Sequence, residues 1–113
     1  MKFPLLLDTY GAMLTDRKRE ILDYYYNEDY SLSEISELTG ISRQGVRDSI
    51  KKSEEEIHEW ESKLKIVETN EKKAEFYSAL ADELKDISSS VKGESKERLE
   101  KVIDAIISSQ KVE

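Results

Sequence analysis

Residues 31–52 read SLSEISELTGISRQGVRDSIKK. The stretch encodes a short helix, a tight turn and a second helix. Ser31 and Glu34 have the Ser-x-x-Glu spacing of a capping box, in which each residue satisfies a backbone N–H of the other. Leu32, Ile35 and Leu38 recur at helical spacing and predict an inner face. Gly40 supplies the positive φ that a tight helix exit needs, Ile41 fills the turn from inside, and Ser42 is placed to cap the next helix. Two short helices that cross steeply need a small residue at the crossing, and Ser36 stands there. Ile35, Ile41 and Val46 have the offsets that pin the pair together. The pattern is a helix-turn-helix whose second helix carries Arg43, Gln44, Arg47 and Lys51 outward.

Upstream, Leu6, Leu7, Tyr10 and Leu14 predict a helix over residues 4–14, with Pro4 suited to its first turn and Gly11 weakening it. Thr15 is a good N-cap for a second helix, Asp16 favours its first turn, and Ile21, Leu22, Tyr25 and Tyr26 form its apolar face until residues 27–29 end it. Downstream of Gly45 no breaker occurs before Asn70. Val46, Ile50, Ile57, Trp60, Leu64 and Val67 form one stripe, so a single long helix is expected, or two joined by a bend near Ser53. A fifth helix is expected over residues 71–88, with Tyr77, Leu80, Ala81, Leu84 and Ile87 inward. SSSVKGES at 88–95 reads as a linker, and Ser95 as the cap of a sixth helix carrying Leu99, Val102, Ile103, Ile106 and Ile107.

Composition agrees with an all-α protein. Only four Gly and one Pro occur in 113 residues, while 38% of residues are charged. There are no cysteines, which excludes disulfides and Cys-ligated zinc. No apolar run of about 18 residues is present, and the N-terminal patch is too short for a signal peptide, so a cytoplasmic protein that does not enter the membrane is expected. The net charge of −7 is uneven: residues 1–53 hold eight Lys/Arg against nine Asp/Glu, and residues 54–113 hold ten against sixteen. Such a chain binds nucleic acid poorly except through a local basic face.

That face is the candidate site. Arg pairs with guanine and Gln with adenine in the major groove, each worth roughly 1–3 kcal/mol of discrimination. The candidates are Arg43, Gln44 and Arg47 for base edges, with Ser42, Lys51, Lys52, Arg17 and Lys18 for phosphates of double-stranded DNA. The opposing reading is a solvated helix face, and Glu54, Glu55 and Glu56 follow on the same helix, where they would repel a backbone. His58 is the single histidine and sits among glutamates, and Asp82, Glu83 and Asp86 have Lys85 between them, so neither reads as a metal site. Of Tyr24, Tyr25, Tyr26 and Tyr30, two are expected in the core and two on the surface. No phosphate loop or nucleophile–base pair occurs, so no enzymatic activity and no cofactor are expected.

The block LTDRKREILDYYYNEDYSLSEISELTGISRQGVRDSIKKSEEEIHEWESKL, residues 14–64, resembles the YlxM/p13 family of small bacterial helix-turn-helix proteins, which are related to region 4 of sigma-70-type factors. The matching pieces are Leu14-Thr15 with Arg19, Tyr25-Tyr26 before Asp29-Tyr30-Ser31, Glu34-Ile35, and Gly40-Ile41-Ser42-Arg43-Gln44 with Val46. One departure is Ser36, where such motifs often have Ala. The resemblance implies a DNA-binding or regulatory protein associated with the signal recognition particle pathway, with the particle's protein, its RNA or its receptor as the implied partners.

The organisation expected from sequence is therefore a helix-turn-helix domain over residues 1–56 and a helical extension over 57–113. Trp60, Leu64, Leu99, Ile103 and Ile106 are the candidate dimer or partner contacts of that extension, and a homodimer is the expected assembly. The alternative is an interaction module that binds a component of the signal recognition particle and not DNA.

Overall fold

The computed structural model describes residues 3–110. The chain is all-α, with six helices and no strand among the described residues. In order they are α1 (Phe3–Tyr10), a 3-10 turn (Gly11–Met13), α2 (Asp16–Tyr26), α3 (Leu32–Thr39), α4 (Arg43–Leu64), α5 (Ile66–Ser88) and α6 (Glu94–Ser109). Two compact units divide at Met1–Val67 and Glu68–Glu113. The first extends past residue 56, because Ile57, Trp60 and Val67 pack with its core.

In the first unit α4 is the axle, with α1, α2 and α3 all packed on it. The core joins Leu6, Leu7 and Tyr10 of α1, Ile21 and Leu22 of α2, Ile35 of α3, and Val46, Ile50 and Ile57 of α4. Burial of each such aliphatic contributes about 1.5–3 kcal/mol, so a few turns of α4 anchor the head. Local signals set the helix starts. Thr15 Oγ1 accepts from Lys18 N at 3.4 Å, and Ser31 and Glu34 form a complete capping box with both bonds at 3.1 Å. Gly40 closes α3 at φ 74, and Ser42 Oγ accepts from Gly45 N at 3.1 Å to open α4. At the crossing of α3 and the turn, Ser36 Oγ donates to the Ile41 carbonyl.

Several expectations are corrected. Leu38 is 57% exposed, so α3 is held by Ile35 with Leu32 half-buried beside it. Three of the four clustered tyrosines, Tyr24, Tyr26 and Tyr30, pack against the core, leaving Tyr25 exposed. The first helix ends at Tyr10, one residue before Gly11, where the chain tightens into a 3-10 turn. α4 runs unbroken through Ser53, which is buried, and stops at Lys65 in the left-handed region, φ 53. α5 therefore begins at Ile66 and passes through Asn70 and Glu71 without interruption. The cause is a side-chain network: Glu61 Oε1 accepts from Val67 N, and Tyr10 Oη accepts from Ile66 N. A long-range hydrogen-bond network of this kind leaves no local sequence signal.

The second unit holds the rest of α5 together with α6. Ala81, Ser88 and Ile103 are its buried side chains. Of the residues expected inward on α5, Ala81 is buried and Tyr77 and Leu84 are half-buried, while Leu80 and Ile87 are exposed at 37% and 45%, because the packed face is narrower than the apolar arc and continues through Ser88. Gly93, at φ 75, precedes α6 with no side-chain cap. Ser95 lies within the helix and does not cap it, so a backbone reversal sets this start.

Candidate nucleic-acid interface

The first three turns of α4 present two neighbouring rows of side chains at four-residue spacing, about 6 Å per step along the axis. One row is Arg43, Arg47 and Lys51; the next is Gln44, Asp48 and Lys52. All six are exposed. The buried face of the same turns, Val46 and Ile50, holds the helix against the head, so the rows are fixed in direction by the core. Ser42 stands at the N-terminus of α4. Its oxygen is engaged in capping, and its proton remains to donate to an anion.

Pairing divides the cations of the first unit into two groups. On α2, Arg17 lies 3.5 Å from Glu20, Arg19 lies 3.9 Å from Asp23, and Lys18 Nζ donates to Glu56 Oε1. On α4, none of Arg43, Arg47, Lys51 and Lys52 has an ion-pair partner among the described residues. The structure thus keeps together Ser42, Arg43, Gln44, Arg47, Lys51 and Lys52 on one helix, and commits Arg17 and Lys18 elsewhere. Lys18 in particular neutralises one member of the acidic run that follows the site.

The rest of that run is also partly engaged. Tyr26 Oη donates to Glu54 Oε2 at 2.8 Å, and burial together with that bond pushes the Tyr26 phenol well above its usual range. Of residues 54–56, only Glu55 is left exposed without a hydrogen bond or ion pair. Tyr24 stacks on Tyr30 with ring centroids 5.5 Å apart and donates to Glu20, a bond that, with burial, raises its phenol too. The rings that pack on the core in this way are not available to stack on bases. His58 is exposed with its ring 5.5 Å from Phe3, and no cluster of metal-ligating side chains occurs among the described residues.

A family profile described as "Putative helix-turn-helix protein, YlxM / p13 like", UPF0122, matches residues 1–102. The chain belongs to this family. It is 52% identical over 67 residues to a UPF0122 protein of Caldanaerobacter subterraneus, covering 59% of this chain and 57% of that protein. A UPF0122 protein of Thermoanaerobacter pseudethanolicus is 54% identical over the same length, again with 57% of that protein covered. The alignment with a Clostridium perfringens UPF0122 protein is longer, 35% identical over 104 residues, 89% of this chain and 93% of that protein. The match thus spans little more than half the length of the first two relatives and nearly all of the third. UPF0122 membership agrees with the helix-turn-helix built by α3 and α4. No helix among the described residues is long and apolar enough to cross a membrane.

The five side chains expected at a dimer or partner surface of this UPF0122 chain divide differently. Trp60 is half-buried beside Tyr10, ring centroids 6.4 Å apart, and Leu64 is 52% exposed. Leu99 and Ile106 are half-buried on α6, and Ile103 is buried. Ile103 packs within the chain and leaves little of its side chain at the surface. Sequence reasoning missed two links: Lys18 to Glu56, and Gln44 Nε2 donating to Asp48 Oδ1 at 2.9 Å. The second was legible from its i, i+4 spacing; the first depends on how α2 crosses α4.

Proposed function

We propose that this protein is a non-enzymatic, cytoplasmic helix-turn-helix regulator that places the first turns of α4 in the major groove of duplex DNA. Arg43 and Arg47 meet guanine edges, while Lys51, Lys52 and Ser42 meet phosphates. The observation that carries this reading is the contrast in pairing: the α2 cations are paired within the chain, and Arg43, Arg47, Lys51 and Lys52 at the start of α4 are exposed and form no ion pair among the described residues, whereas Lys63 near its far end pairs with Glu59. Two copies related by a two-fold axis, joined through Leu99 and Ile106 of α6, would read two half-sites. Selection of duplexes from a random pool tests the reading. The wild type retains a preferred duplex, and Arg47→Ala weakens it about tenfold or more with helicity unchanged. Failure of the wild type to retain any selected duplex at low salt overturns it.

A second reading is favoured by charge. With a net charge of −7, the chain is suited to a small, selective contact and not to a broad duplex footprint. In this reading the same α4 face binds the protein, RNA or receptor of the signal recognition particle. Pull-down with those components, compared with a variant carrying Arg43→Ala and Arg47→Ala, separates the two.

A further inference from the structure

The outer surface of α4 is not uniformly basic. Asp48 stands in its middle, one turn after Gln44, beside Arg47 and one turn before Lys51 and Lys52. It has two lysines within i, i+3 and i, i+4 reach, yet it forms an ion pair with neither and instead accepts from Gln44 Nε2 at 2.9 Å. A glutamine amide has a donor end and an acceptor end, and nothing in the side chain itself decides which way round it sits. Asp48 decides it here, since a carboxylate offers only acceptors to the amide. The nitrogen is turned along the helix toward Asp48, and the oxygen is turned the other way. Gln44 Oε1 and the second Asp48 oxygen take no hydrogen bond among the described residues, so these two exposed side chains offer acceptors beside the donor-only row of Arg43, Arg47 and Lys51.

These two rows are complementary to different base edges. Guanine offers O6 and N7, which take donors from arginine. The exocyclic amino groups of adenine N6 and cytosine N4 are the major-groove donors, and acceptor oxygens select them. An acceptor strip also disfavours guanine O6, thymine O4 and phosphate oxygens, all of which are acceptors.

We infer that Asp48 is a specificity-determining residue: through its bond to Gln44 it makes α4 select an amino-bearing base, adenine or cytosine, next to the guanine read by arginine. The inference rests on the duplex-reading proposal above and adds to it the chemistry of the second base. Asp48 acts partly as a positioning residue, by orienting Gln44, and partly as a negative charge that lowers affinity for duplexes of arbitrary sequence.

The test is duplex selection from a random pool with the full-length wild type, Asp48→Ala, Asp48→Asn and Arg47→Ala, followed by affinity measurement on single-base variants of the wild-type site. The expected wild-type site holds guanine beside adenine or cytosine. Asp48→Ala is expected to lose about tenfold of the discrimination at the adenine/cytosine position, to keep the guanine requirement, and to bind arbitrary duplexes more tightly. Asp48→Asn keeps an acceptor for the amide and is expected to retain part of the discrimination. Arg47→Ala is expected to lose the guanine instead. If the wild type selects a guanine-containing site that Arg47→Ala loosens, but Asp48→Ala recovers the same site with the same discrimination, this inference falls while duplex reading stands. If the wild type selects no site, both fall.

Discussion

Tyr10 on α1 donates a hydrogen bond from Oη to Glu61 Oε1 on α4 at 2.5 Å, across 51 residues of chain. The two residues also take the first backbone donors of α5: Glu61 Oε1 accepts from Val67 N at 3.1 Å and Tyr10 Oη accepts from Ile66 N at 3.3 Å. A phenol and a carboxylate therefore do the work of an N-cap for a helix that has no capping residue of its own. The break between α4 and α5 follows from this pair, because no glycine or proline lies between Val46 and Gly93.

Tyr10→Phe keeps the ring beside Trp60 and removes only the hydroxyl. It leaves the Ile66 N–H without its acceptor and takes the phenol donor from Glu61 in a part-buried site, and the expected loss is about 1–3 kcal/mol. Chemical denaturation followed by the fluorescence of Trp60, the single tryptophan, reads it. Lys65 sits at φ 53, where a side chain costs roughly 1–2 kcal/mol. Lys65→Gly relieves that cost against about 0.5–1 kcal/mol of added chain entropy, so it should be neutral to mildly stabilising. A β-branched residue there, Lys65→Val, should be destabilising.

Stability should also respond to alkaline pH. Burial and the Glu61 bond raise the Tyr10 phenol; burial and the Glu54 bond raise that of Tyr26. Both groups hold their proton more tightly folded than unfolded. Their contribution is fully present below the unfolded value, about 10, and is lost as pH rises from there through the higher folded values. The denaturation midpoint should show no tyrosine-linked slope between about pH 7 and 9 and should fall above about pH 10. Lysines titrate in the same range, so the comparison that decides is Tyr26→Phe, which should have a shallower fall than the wild type. Equal slopes would remove Tyr26 as a cause.

The two glycines of the helix-turn-helix should both resist replacement by alanine, for unlike reasons. At Gly40 a Cβ meets nothing within 4 Å, but φ is +74, so Gly40→Ala pays only the left-handed penalty of roughly 1–2 kcal/mol. Gly45 lies inside α4, where alanine ordinarily gains about 1 kcal/mol. There a Cβ would lie 2.7 Å from Ile41 Cγ2 and 3.2 Å from Ser42 Oγ, so Gly45→Ala pushes on the turn residue and its cap and should lose stability. Combining Gly45→Ala with Ile41→Ala removes the clash. In that background the alanine should cost less than it does alone, as a double-mutant cycle in thermal denaturation would show.

The helix-turn-helix was legible because its signals are local. Ser31 with Glu34, Gly40 and Ser42 each act within four residues, and the structure has all of them where spacing predicts. The helix break at Lys65 was not legible, since it depends on Tyr10 reaching across the fold. Nor was the inner face of α5, where Tyr77, Leu80, Ala81, Leu84 and Ile87 fit one apolar arc too broad to reveal which part of it is buried. In the candidate site the exposed row Arg43, Arg47, Lys51 could be read from periodicity alone. That Arg17 and Lys18 spend their charge on Glu20 and Glu56 could not, because the second pairing depends on α2 lying against α4.

That difference in pairing separates the cations in a salt titration. A cation that releases counterions from the duplex contributes about 0.9 to the slope of log affinity against log salt. Lys51 is exposed and unpaired, so Lys51→Ala should lower the slope by about that amount and weaken all duplexes alike. Lys18 is engaged by Glu56, and both side chains are about one-third exposed, so the pair itself is worth no more than about 1 kcal/mol. Lys18→Ala should leave the salt slope unchanged, and the uncovered Glu56 carboxylate should reduce affinity only slightly. Glu56→Gln is the informative converse. It frees Lys18, and if α2 lies within reach of the backbone, the slope should steepen by up to about one unit. A steeper slope in Glu56→Gln that disappears when Lys18→Ala is added would place α2 against the duplex. An unchanged slope would confine the phosphate contacts to α4.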